Sequence, residues 1–135
     1  MKSLDRRSTG FTLIEMLVVI VVIGILASIA VVSYGSTTEK ANVAAMKSDL
    51  RNLVSAEQSY YADQTGAGGA GNFTSRLQDL EFSTSPGVTV RIKKNNYGWS
   101  ARATHASVKN VRCAIYQGSI TPYTPATQEG EVACS

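Results

Sequence analysis

Phe11 to Val32 reads FTLIEMLVVIVVIGILASIAVV, with a single charge, Glu15. As a helix this stretch would be roughly 33 Å long, close to the thickness of a hydrocarbon core. Its side chains are apolar all round, so no face is suited to water. It needs lipid or other apolar helices on every side. A carboxylate inside such a run is costly, which makes Glu15 a candidate functional residue. The residues ahead of it, MKSLDRRSTG, are polar and basic. Lys2, Arg6 and Arg7 are expected to hold that end in the cytoplasm.

From Thr38 the pattern turns amphipathic. Val43, Met46, Leu50, Leu53, Val54 and Tyr60 or Tyr61 recur at three- and four-residue steps. Glu39, Lys40, Lys47, Asp49, Arg51 and Asp63 are expected on the opposite, solvated face. Glu57 falls near the stripe and is expected at its partly exposed edge. Gly24 and Gly35 are tolerable helix interiors, each costing up to about 1 kcal/mol relative to Ala. Phe11 to about Gln64 is therefore expected to be one helix, roughly 80 Å long. No small domain covers both ends of such a helix. Out of lipid, its first half must be buried by copies of itself, which argues physically for a filament.

The junction Gly10-Phe11-Thr12-Leu13-Ile14-Glu15 resembles the processing site of type IV prepilins and of the related type II secretion pseudopilins. The resemblance covers the leader and the helix start, and its motif is specific. It implies cleavage between Gly10 and Phe11 by a prepilin peptidase, and N-methylation of Phe11 by the same enzyme. It also implies a role in methylation and subunit assembly for Glu15, the fifth residue of the mature chain. Many members carry a proline where this chain has Val32. That substitution removes the chemical cause of the helix kink such a proline favours.

Cleavage would create a new α-amine at Phe11. Pairing Glu15 with that amine on a neighbouring subunit would neutralise both groups in an apolar surround, because a buried charge is tolerated only when partnered. Such a pair would set axial register more than it adds net stability. The competing reading pairs Glu15 only with its own N-terminus and confines its role to processing. A second processing scheme uses Ser28-Ile29-Ala30, whose small residues resemble an ordinary signal-peptide site. Cutting there would release a soluble exported domain.

The chain has 135 residues and a formal charge of +3, which suits one domain plus an anchor. After the helix, TGAGGAGN at 65–72 is a glycine-rich stop. No Gly-Lys-Ser/Thr follows it and no strand precedes it, so a phosphate loop is excluded. Asn72-Phe73-Thr74 is formally a glycosylation sequon. Thr74 to Leu80 suits a short helix with Leu77 and Leu80 inward, and Pro86-Gly87 a turn. Val88 to Lys94 alternates, with Val88, Val90 and Ile92 on one face and Thr89, Arg91 and Lys93 on the other. Asn95-Asn96 suits a tight turn through the tolerance of Asn for positive φ. Tyr97 to Ala103 and Val111 to Tyr116 complete a three- or four-stranded antiparallel meander packed on the amphipathic helix half.

The expected fold class is thus α+β and type IV pilin-like. Its parts are a leader (1–10), an apolar transmembrane or filament-core helix (11–32), an amphipathic half (33–65) and a sheet-bearing remainder (66–135). Cys113 and Cys134 are an even pair. In an exported domain they suggest a disulfide worth about 3 kcal/mol on the chain-entropy model; in the cytosol they would be two buried thiols. The family resemblance implies that a cysteine-bounded C-terminal loop lies on the filament exterior.

Enzyme chemistry finds little support. His105 is the only histidine. It sits in a polar connection, and pairing it with Cys113 as nucleophile requires a free thiol. The cysteines are too far apart for a finger-like zinc site, and no cofactor is expected. From Phe82 to Gln128 the chain has no acidic residue. Arg91, Lys93, Lys94 and Arg102 are therefore candidate nucleic-acid contacts, with Tyr97, Trp99, Tyr116 and Tyr123 as stacking partners. The bland alternative is a solvated outer sheet face, or one that meets acidic surfaces of neighbouring subunits.

The expected function is a structural subunit of a type IV pilus serving adhesion, twitching motility or DNA uptake. The precursor would be a single-pass bacterial inner-membrane protein and the product an extracellular filament. Its expected partners are other pilin subunits, the prepilin peptidase, the membrane-embedded assembly machinery and, before assembly, lipid. The alternatives are a type II secretion pseudopilin and a soluble exported binding domain.

Overall fold

A computed structural model describes residues 10–66, 68–69 and 71–135, with the side chains of 30–34 excepted. The expected leader, apart from Gly10, lies outside these residues. So do the side chain of Val32 in place of the family proline and that of Ala30 in the signal-peptide-like site.

Helix α1 runs Leu13–Gly66. It starts two residues later than expected and ends within the glycine-rich stretch, where backbone entropy no longer favours a helix. The chain divides within α1 into two compact units, 1–37 and Thr38–Ser135. In the first, the large apolar side chains from Phe11 to Ile29 are exposed, from 48% at Val22 to 92% at Leu13. Among the described residues no helix is long and apolar enough to cross a membrane. The span expected over 11–32 runs on into 30–32, whose side chains are not among them.

In the second unit the three-four spacing delivers Met46, Leu50 and Leu53 to the core, each without exposed surface. They pack on one face of a four-stranded antiparallel sheet with the order β1-β2-β3-β4. The strands are β1 Val88–Asn95, β2 Gly98–His105, β3 Val108–Gly118 and β4 Ala133–Cys134. Val88, Val90, Trp99, Ala101, Ala103, Cys113 and Ile115 supply the sheet's side of that core. By strand alternation, Thr89, Arg91 and Lys93 then face away from the helix.

Several local expectations need correction. Tyr97 belongs to the β1–β2 turn rather than to the returning strand, since Asn95 pairs directly with Gly98. That turn uses no positive φ at Asn. Instead Asn95 Oδ1 accepts the Tyr97 N–H at 2.8 Å, and Asn95 Nδ2 donates to the Ser119 carbonyl at 2.9 Å. His105 ends β2, opposite Val108 across a two-residue turn, so it does not sit in a long polar connection. The short helix shrinks to a 3-10 turn, Leu77–Asp79, with Leu80 buried behind it. The Pro86-Gly87 turn is as expected. The Ser85 carbonyl accepts the Val88 N–H at 3.0 Å, and Gly87 takes φ +81°.

Gly98 and Gly118 stand opposite each other in the β2–β3 ladder. A Cβ on Gly98 would lie 2.2 Å from the Gln117 carbonyl oxygen. Only a glycine permits the strands to close there, beside the buried Trp99.

Candidate functional site

The N-terminal site is built by three consecutive residues, Gly10, Phe11 and Thr12, and by Glu15 one helical turn further on. Gly10 and Phe11 precede α1 and are exposed. Thr12 occupies the cap. Its backbone N–H and its hydroxyl each donate to Glu15 Oε2 at 2.9 Å. The Glu15 N–H in turn donates to Thr12 Oγ1 at 3.3 Å. This is a reciprocal capping box, which satisfies donors that the first helical turn otherwise leaves without partners. A carboxylate at this end also meets the favourable pole of the helix dipole. Glu15 is thus partnered within its own chain, by Thr12. The Thr-x-x-Glu spacing of residues 12–15 is the sequence signal of this cap.

The second site is covalent. Cys113 on β3 and Cys134 on β4 stand directly opposite and are joined, with S–S 2.00 Å and Cα–Cα 4.0 Å. Arg112 and Ser135 exchange backbone hydrogen bonds of 2.8 and 3.0 Å beside them. The free-thiol alternative is therefore excluded, and with it a Cys113 nucleophile. His105 packs on the turn instead: its Nε2 would lie 2.7 Å from a Cβ on Gly87.

The candidate cations divide between two faces. Arg91 and Arg102 are opposite one another on the outer face of the sheet. Lys93 Nζ lies 4.3 Å, and Arg102 Cζ 5.0 Å, from the centre of the Tyr123 ring, a pair of cation–π contacts. The C-terminal segment brings Tyr123 there, and the Tyr123 N–H donates to Ser100 Oγ at 2.9 Å. Arg102 Nε is buried without a hydrogen-bond partner among the described residues. Lys94 belongs to the helix-side face, and its ammonium donates to Asn72 Oδ1 at 2.8 Å. Trp99 is 1% exposed and is a core residue, not a stacking platform. Tyr123 already holds two cations, whereas Tyr97 is open to solvent.

Two carboxylates depart from their expected positions. Asp49, expected on the solvated face, is buried. Its Oδ2 accepts the Ser85 N–H and its Oδ1 the Ser85 hydroxyl, both at 2.8 Å. Glu57, expected at a partly exposed edge, has no exposed surface. Its Oε2 accepts the Thr74 N–H at 3.2 Å. Burial pushes its pKa up to about 7, against the opposing pull of that N–H and of Lys94. Its spacing of four from Leu53 signalled the core position. Among the described residues no group of three His, Cys, Asp or Glu side chains is placed to hold a metal ion.

Residues 5–31 match the family described as the prokaryotic N-terminal methylation motif. The chain is 28% identical to the type IV major pilin protein PilA of Myxococcus xanthus over 108 residues, 78% of this chain and 43% of that protein. It is 44% identical to the type II secretion system core protein G of Pectobacterium carotovorum over 92 residues, 67% of this chain and 54% of that protein. It is 40% identical to the core protein G of Pseudomonas aeruginosa over 58 residues, 43% of this chain and 41% of that protein. The chain thus spans between 40% and 54% of the length of the curated relatives it matches. No solved structure matches it.

Proposed function

On its methylation motif and its homology to a type IV pilin and to type II secretion core proteins, the chain belongs to the pilin and pseudopilin family, and within it we propose a subunit of an extracellular type IV pilus. The observation that carries this reading is the first part of α1. Its large apolar side chains are exposed, Leu13 by 92%, as is Phe11 just ahead of it by 76%, and Glu15 is its only charge. Such a surface must be covered by lipid before assembly and by identical helices afterwards. Prepilin peptidase cuts between Gly10 and Phe11 and methylates Phe11. The assembly machinery then extracts the subunit from the inner membrane. Glu15 exchanges its Thr12 partner for the Phe11 amine of a neighbouring subunit, and the apolar helices bury each other. The protein is a structural subunit and a substrate of enzymes. The filament serves adhesion, twitching motility or DNA uptake.

Two observations support the pilus over the secretion pseudopilus. The similarity to the Myxococcus pilin extends over 78% of the chain. The Cys113–Cys134 staple also suits a fibre exposed outside the cell. The second reading, a pseudopilin of a type II secretion system, draws on the higher identity to the core proteins, 44% over 92 residues in one case. DNA is a partner only through the outer sheet face, where Arg91, Lys93 and Arg102 gather without Lys94.

The test is the N-terminus and intact mass of the protein sheared from intact cells. A start at methylated Phe11 in abundant sheared fibres supports the pilus. The same start confined to membrane fractions supports the pseudopilin. A start at Val31 in the soluble fraction overturns both filament readings.

A further inference from the structure

Glu57 lies on the sheet-facing stripe of α1 and has no exposed surface. Oε2 accepts the Thr74 N–H, while Oε1 is buried with no hydrogen-bond partner among the described residues. An ionised carboxylate in that setting would leave a buried charge half-satisfied, which is strongly unfavourable. The neutral acid fits better, with its proton on the unpartnered side.

The surrounding charges do not relieve this. From β1, Lys94 attracts Glu57, but its ammonium is committed to Asn72 Oδ1. From the segment after the glycine-rich stretch, Arg76 and Asp79 pair with each other at 3.3 Å, and Asp79 Oδ2 accepts the Thr74 hydroxyl at 2.8 Å. On α1 itself, Tyr60 and Tyr61 lie one turn further on, and Tyr61 stacks on Phe73 at 4.9 Å. From β2 and β3 the core receives Trp99, Ala101, Ile115 and the disulfide-bonded Cys113, none of them charged. Segment 71–79 is therefore held to α1 by Glu57–Thr74 and Tyr61–Phe73, and to β1 by Asn72–Lys94.

We propose that Glu57 is a proton-operated latch: the neutral acid is accommodated in its burial against segment 71–79, and its ionisation, which leaves a buried charge that the single Thr74 N–H does not satisfy, opens that segment to water. The latched state binds the proton more tightly than an opened state, whose carboxyl returns toward 4.5, against about 7 when buried. The latch is therefore tightest below pH 4.5, weakens as pH rises toward about 7, and changes no further above that. This assignment stands independently of the filament reading.

The test uses the full chain, isotope-labelled, in detergent micelles. Amide exchange at Thr74, corrected for its intrinsic pH dependence, gives the opening equilibrium. Between pH ~5.5 and ~8.5 opening is expected to increase roughly 30-fold by proton linkage. Amides within β2 remain protected. In Glu57→Gln, a neutral side chain of the same shape, Thr74 protection is expected to be flat across that range. The Glu57 carboxyl-carbon titration in the unsubstituted chain decides the matter even where the variant does not fold. A midpoint near neutrality that tracks Thr74 opening supports the latch. A midpoint below pH ~5, or Thr74 exchange indifferent to pH, overturns it.

Discussion

The backbone N–H and the hydroxyl of Thr12 converge on one oxygen of Glu15, each at 2.9 Å. The single carboxylate of the apolar stretch from Phe11 to Val32 is thereby partnered within its own chain. Removing the hydroxyl tests that coupling. In Thr12→Val the cap loses its acceptor for the Glu15 N–H as well as one donor to the carboxylate. The amides of Glu15 and Met16 are expected to exchange several-fold faster in micelles. Thr12→Ser keeps the hydroxyl and is expected to exchange like the unsubstituted chain.

Glu15 itself separates processing from assembly. If its carboxylate pairs with a neighbouring α-amine, Glu15→Ala leaves a buried cation unpartnered in each contact. The expected outcome is a normal Phe11 start in the membrane fraction with sheared fibres absent. Normal fibre yield would remove the assembly role and leave Glu15 as a helix cap.

The Cys113–Cys134 bond closes the chain across a separation of 21 residues and pins β4 to the sheet edge. The double substitution Cys113→Ser with Cys134→Ser is expected to cost about 3 kcal/mol in denaturant unfolding. The intact mass of the unsubstituted protein, two protons short of the reduced chain, checks the bond directly.

Asp49 tethers the turn that launches β1. Its two oxygens take both donors of Ser85, and Asp49 has 3% of its surface exposed. Asp49→Ala strands those donors and is expected to lower stability by about 1–3 kcal/mol. Asp49→Asn retains one acceptor oxygen and is expected to lose less. Equal losses in the two variants would show that packing, not hydrogen bonding, sets the cost.

Much of this protein is legible along the chain because its signals are local. Unbroken apolar residues from Phe11, the later stripe of Met46, Leu50 and Leu53, and the glycines after Thr65 determine where the helix runs, how it changes character and where it ends. Alternation determines β1 and which of its side chains share a face. The Gly10-Phe11 junction and Glu15 carry the family likeness, and the Thr-x-x-Glu spacing encodes the cap. Other features needed the tertiary structure, because periodicity says which residues share a face but not what covers it. Asp49 and Glu57 have acidic side chains and so suggested solvent. They are buried because Ser85 and Thr74, far along the chain, bring backbone donors to them. The four cations from Arg91 to Arg102 looked like one cluster. Alternation sends Lys94 to the helix side, and the returning C-terminal segment lays Tyr123 between Lys93 and Arg102. Burial, partnership and protonation depend on contacts across long sequence separations, and only the folded chain makes them.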